Sequence, residues 1–77
     1  MLPIQCKLGR TAAGLGIREL AAAAKVSPDT ISRLERGEEL KARTVEVIRA
    51  VLERAGVVFI DSNGGGPGVR LKKRGKR

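Results

Sequence analysis

The first 56 residues are cut into short pieces by glycines at 14, 37 and 56 and by a break at Lys25-Val26 that runs into Ser27-Pro28. Short helical segments are marginal in water on their own and hold only by burying an apolar face against neighbours. The punctuation therefore dictates several short helices around one shared core. A first helix is predicted over 4–13, with Pro3 suited to its first turn, Gly14 to its stop, and Ile4, Leu8 and Ala12 on one inward face that Leu15 closes. Gly9 inside it is a poor helix former and marks a candidate close approach of another backbone. A second helix is predicted over 17–24, with Ile17, Leu20, Ala21 and Ala24 inward. Ser27 and Pro28 supply an N-cap and a first-position proline for a third helix running to about Arg36, which buries Ile31 and Leu34. Asp29 in its first turn suits the positive end of the helix dipole. A fourth helix is predicted over about 42–55, where Val45, Ile48, Leu52 and Ala55 form a stripe that Val47 and Val51 widen.

Beyond Gly56 the pattern changes. Val57, Val58, Phe59 and Ile60 are a β-rich run too short for a helix, and Val69-Arg70-Leu71-Lys72 alternates as a half-exposed strand does. Residues 57–72 are predicted to form a hairpin with an eight-residue loop from Asp61 to Gly68, and 73–77 a disordered basic tail. The fold class is thus mainly α: a compact four-helix domain over 1–56 with an appended C-terminal β-hairpin.

Composition narrows the chemistry. A chain of 77 residues forms one domain, and its core must be aliphatic because Phe59 is the only aromatic residue. The same scarcity argues against base stacking on exposed rings, the usual device for single-stranded nucleic acid. Cys6 is the only cysteine and there is no histidine, so neither an internal disulfide nor a zinc site is expected, and no cofactor is implied. No histidine base, paired carboxylates or activated nucleophile points to an enzyme. The glycine-rich run 63–68 lacks the lysine and following helix of a phosphate-binding loop and reads as a turn. No apolar run spans a bilayer and no signal segment is evident, so the expected location is the cytoplasm. The formal charge of +8 invites a polyanion, but six of the sixteen basic residues fall in the last eight positions. Residues 1–69 carry ten basic and eight acidic side chains, so charge alone decides little.

Spacing decides more. Two short helices joined by a three-residue turn, the second capped and polar on its outer side, are the helix-turn-helix arrangement, here spanning about 17–36. Ala21 is small where the helices cross, and Leu20, Ala24, Val26, Ile31 and Leu34 are apolar where the pair meets the core. With Glu19-Leu20-Ala21, Val26-Ser27 and the run Thr30-Ile31-Ser32-Arg33-Leu34-Glu35-Arg36-Gly37, residues 4–56 resemble the phage-repressor and Cro-type (XRE-like) helix-turn-helix regulators. The resemblance implies a repressor-like helical domain that binds a palindromic operator in double-stranded DNA as a homodimer. Two positions depart from the family pattern. Ile17 stands where a DNA-touching glutamine is usual, and Lys25 where a left-handed glycine is usual.

On this reading Arg33 is the principal base contact, because arginine pairs bidentately with guanine in the major groove, with Asp29, Ser32 and Pro28 beside it. Ser27, Arg18, Lys41, Arg43 and Arg36 are candidate phosphate contacts, which fix register without reading sequence. Arg10 and Glu35 match the family's ionic pair between the first and third helices. Val47, Val51, Val57, Val58, Phe59 and Ile60 form a candidate dimer interface, since so apolar a hairpin on a small domain invites a second chain. Two alternatives stand: a protein-interaction module such as an antitoxin or anti-activator, with a regulatory protein as partner, and sequence-indifferent nucleic-acid binding through the tail.

Overall fold

A computed structural model of the chain describes residues 1–61 and 65–72. Four helices, α1 (Pro3–Ala12), α2 (Ile17–Ala24), α3 (Pro28–Glu35) and α4 (Ala42–Arg54), precede two strands, β1 (Val57–Ile60) and β2 (Gly68–Leu71). The protein is mainly helical, with a C-terminal antiparallel hairpin. Residues 62–64 of the expected hairpin loop and the expected tail 73–77 lie outside the described residues.

Leu20, Ile31, Ile48, Leu52 and Cys6 are the largest fully buried side chains, so α2, α3 and α4 each contribute a long aliphatic residue to one centre. Truncating one of these leucines or isoleucines to alanine typically costs about 2–5 kcal/mol in a close-packed core. The ends of α2 and α3 share a closing geometry. In each, the chain turns into the left-handed region within two residues of the helix end, and two backbone N–H groups cap carbonyls of the last turn. Lys25 does this for α2 at φ 59°, with Val26 N donating to the Ala21 carbonyl at 3.0 Å. Gly37 does it for α3 at φ 93°, with Glu38 N donating to the Arg33 carbonyl at 3.0 Å and Gly37 N to that of Leu34 at 3.0 Å.

Helix α1 turns a different face inward from the one its apolar residues predict. Gln5, Cys6 and Gly9 are buried, whereas Ile4 and Leu8 are exposed and Ala12 faces solvent. The reason is steric: the small face lets the hairpin and α4 close onto the helix. A Cβ on Gly9 would stand 3.1 Å from Val57 Cγ1 and 3.6 Å from Leu52 Cδ1, so the close approach is by side chains, not by another backbone. Gln5 is buried because its amide is fully used. Its Oε1 accepts from Leu2 N at 2.9 Å, and its Nε2 donates to the carbonyls of Ile60 (2.9 Å) and Gly68 (3.1 Å).

The hairpin is part of the core rather than an attachment. Its register pairs Val57 with Leu71, Val58 with Arg70, Phe59 with Val69 and Ile60 with Gly68. The second strand starts one residue earlier than expected, at Gly68, since Lys72 N already bonds the Gly56 carbonyl at 2.6 Å and fixes the pairing from that end. Val57 and Val51, expected to meet a partner, are core residues at 2% and 8% exposure. Phe59 packs against the same core and carries the Arg49 guanidinium 4.9 Å from its ring centre. Val47 and Ile60 are exposed, and Val58 is half-buried.

Candidate nucleic-acid interface

Helix α3 is held from behind by Ile31 and Leu34, both buried against α2's Leu20, Ala21 and Ala24. Its start is fixed by Ser27, whose Oγ accepts from Thr30 N at 3.2 Å and lies 2.9 Å from Thr30 Oγ1. The Ser27 hydroxyl, a candidate phosphate contact, is thus first of all a helix cap. With the inner face buried, the outer face presents Pro28 and Asp29, both exposed, and Ser32 and Arg33, both half-buried. These four occupy the projecting side of the second helix of the pair, the element that enters a major groove in this arrangement.

The far end of α3 is tied to α1. Arg10 Nε donates to Glu35 Oε2 at 2.8 Å and Arg10 Nη2 to Glu35 Oε1 at 3.0 Å, with side chains only 14% and 11% exposed. The Glu35 carboxylate also accepts the Cys6 thiol at 3.4 Å. Burial first, then the Glu35 charge and hydrogen bond, push the thiol up to about 12, so Cys6 is a protonated core residue at neutral pH.

The cationic side chains divide into two groups. Arg18, Lys41 and Arg43 are exposed near the starts of α2 and α4. The N-cap of α4, Lys41, makes no side-chain cap bond and the first turn holds no acidic residue, so the N–H groups of that turn and the flanking cations suit an anion. Arg33 and Arg36 are instead engaged by one acid that the sequence did not single out. Glu38 accepts from Arg33 Nε at 2.9 Å through Oε1, and from Arg36 Nη2 at 2.9 Å through Oε2.

Between α3 and the loop leading to α4 lies a groove of about 430 Å³. Val26 and Leu40 give it apolar lining, and Ser27, Thr30, Thr44, Arg33 and Lys41 supply hydroxyls and positive charge, against a single acid, Glu39. That mixture suits a sugar-phosphate strand, which needs donors to its oxygens and tolerates apolar contact at its sugars. Thr30 and Thr44 were not legible as site residues, because only the packing of the loop on α3 brings them to one groove.

A short two-helix reader, braced from behind and flanked by cations, defines a protein of the DNA-binding helix-turn-helix class. The helix-turn-helix domain family matches the chain over residues 7–58, and the chain belongs to that family, in accord with its likeness to the phage-repressor type. No curated protein matches the sequence. Among the described residues no helix is long and apolar enough to cross a membrane.

Proposed function

We propose that this protein is a sequence-specific transcriptional regulator that binds a palindromic operator in double-stranded DNA as a homodimer. The observation that carries the reading is α3: capped by Ser27, pinned by Ile31, Leu34 and Glu35, and offering Pro28, Asp29, Ser32 and Arg33 outward. Arg33 supplies the main base contact, with Asp29 and Ser32 reading neighbouring positions and Pro28 offering apolar contact. Arg18, Lys41, Arg43 and the N-terminal turn of α4 clamp the phosphates on either side. Ile17 adds no hydrogen bond, so more of the discrimination rests on α3.

The homodimer uses the apolar surface left on α4 and the hairpin: Val47, Val58 and Ile60, of which Val47 and Ile60 are 41% and 40% exposed. A two-fold pair that sets its recognition helices about 34 Å apart, one turn of B-DNA, matches half-sites about 10 base pairs apart or a multiple of that. The test is footprinting on the DNA flanking the gene, followed by selection from a random duplex pool. A protected inverted repeat, recovered independently from the pool, is the expected result. Uniform binding to all duplexes would replace this reading with sequence-indifferent association.

A further inference from the structure

The corner between α3 and α4 holds a charge arrangement that the two-helix motif does not by itself require. Glu38 spreads one carboxylate over two arginines, Arg33 Nε at 2.9 Å and Arg36 Nη2 at 2.9 Å. Its place is fixed by the backbone: the left-handed Gly37 brings Glu38 N to 3.0 Å from the Arg33 carbonyl. The two residues therefore share a backbone bond and a side-chain bond in one frame, and the guanidinium is held relative to its own helix. Arg33's bond to Glu38 uses Nε alone, so its Nη groups have no protein partner among the described residues. Those two nitrogens form the edge that pairs with O6 and N7 of guanine.

We propose that Glu38 is a positioning residue that sets base discrimination: it buttresses Arg33 through Nε, leaves the Nη edge for the base, and withholds Arg33 and Arg36 from the phosphates of unselected DNA. This inference rests on the operator reading above. Two physical effects act together. A free arginine loses substantial rotamer entropy when it docks, and a buttressed one has already lost most of it. Attraction to phosphate is indifferent to sequence, so a carboxylate beside the reading arginine weakens every site alike, and only a correct base repays it. The hydrogen bonds from Arg33 and then Arg36 hold the Glu38 carboxyl below its ordinary range, so the carboxylate is charged at neutral pH. Asp29, one turn back on α3, adds a second negative charge near Arg33. The Glu38 side chain is 45% exposed, and its hydrogen bonds among the described residues go to Arg33 and Arg36 alone, so its removal is expected to leave the fold in place.

The experiment compares the wild type, Glu38→Gln, Glu38→Ala and Arg33→Ala by selection from a randomised duplex pool, with affinities for selected and random duplexes at several salt concentrations. For Glu38→Gln and Glu38→Ala the expected result is binding to random duplex about three- to tenfold tighter, with a salt slope steeper by about one, as a freed arginine displaces counterions. Preference falls about three- to tenfold at the same base pair that Arg33→Ala relaxes. Unchanged discrimination in both Glu38 variants overturns the inference, as does an even loss of affinity for all duplexes, the mark of a merely structural role. Relaxation at a base pair other than that of Arg33→Ala also overturns it. A wild type that enriches no motif overturns the operator reading and this inference together, whereas a wild type that selects a motif which the Glu38 variants keep overturns the inference alone.

Discussion

Arg10 and Glu35, twenty-five residues apart, meet through two parallel hydrogen bonds of 2.8 and 3.0 Å and bind α1 to the end of α3. Removing one partner of a largely buried pair strands the other's charge. Glu35→Ala is therefore expected to cost about 2–4 kcal/mol in urea unfolding. A domain of this size has a total stability on the order of 5 kcal/mol, so the variant sits near its threshold. The joint replacement Arg10→Met with Glu35→Leu should recover part of that loss, because no charge is then left unpartnered. A Glu35→Ala protein as stable as wild type would mean that α3 is held by its apolar face alone.

Arg33→Ala is expected to lower affinity for the selected duplex by about 1–3 kcal/mol and to relax preference at one base pair per half-site. Arg18→Ala and Arg43→Ala should weaken all duplexes evenly and flatten the salt dependence by about one unit of slope each. Titrations against matched and mismatched duplexes at several salt concentrations separate the two patterns. Unchanged sequence preference in Arg33→Ala would place base reading elsewhere on α3.

Lys25 closes α2 at φ 59°, a conformation that crowds any side chain. Lys25→Gly relieves that strain but frees the unfolded chain, and the net gain is expected at about 0.5–1 kcal/mol. In a domain this small that raises the melting temperature by a few degrees, measurable by circular dichroism. A lower melting temperature would show that the Lys25 side chain contributes more than its backbone costs.

The outcomes at Lys25 and at α1 show which parts of the molecule were legible in the sequence. Helix boundaries were, since Ser27-Pro28, Gly37 and Gly56 act through their own backbone preferences, whatever surrounds them. The left-handed turn at Lys25 was legible from the family pattern. The inner face of α1 was not: Ile4 and Leu8 make the stronger apolar signal, yet the buried side is the one whose small residues admit Val57 and Leu52. Nothing local to Gln5 signals its burial, because two of its partners lie 55 and 63 positions away. The Glu38 bridge depends on the turn that Gly37 makes, and Thr30 and Thr44 meet only once the loop has folded back. Local chemistry was readable, whereas long-range complementarity was not.

Cys6 makes stability sensitive to alkali. Burial, then the charge of Glu35, hold the folded thiol protonated up to about 12, while the unfolded thiol ionises near its ordinary 9.0. Between those values the folded state binds a proton that the unfolded state has lost, so stability is full below about pH 9 and falls as pH rises toward 12. Urea midpoints measured from about pH 8 to about pH 10.5 should decline more steeply in wild type than in Cys6→Ala. Equal slopes would remove the thiol as the cause.

Val58→Lys and Ile60→Lys test the dimer. The wild type is expected to sediment as a dimer at tens of micromolar, and both variants as monomers. Phe59→Ala should act mainly on stability, because that ring packs on the core beneath Arg49. A wild type that stays monomeric, or a Val58→Lys protein that dimerises normally, would sink the proposed interface.

The Gln5 amide joins position 5 to positions 60 and 68, and so bears on the order in which the fold assembles. Closing so long a loop costs little more than closing a short one, since the entropy grows only with the logarithm of length, but it is slow to find. Helices α2 and α3 meet across a few residues and are free to form at once. On these grounds α2 and α3 are expected to gain their local shape first and α1 to dock on the hairpin last. In hydrogen exchange the Gln5 closure is expected to behave as a late latch: amides of the hairpin exchange before those of α2 and α3, and Gln5→Ala widens that gap.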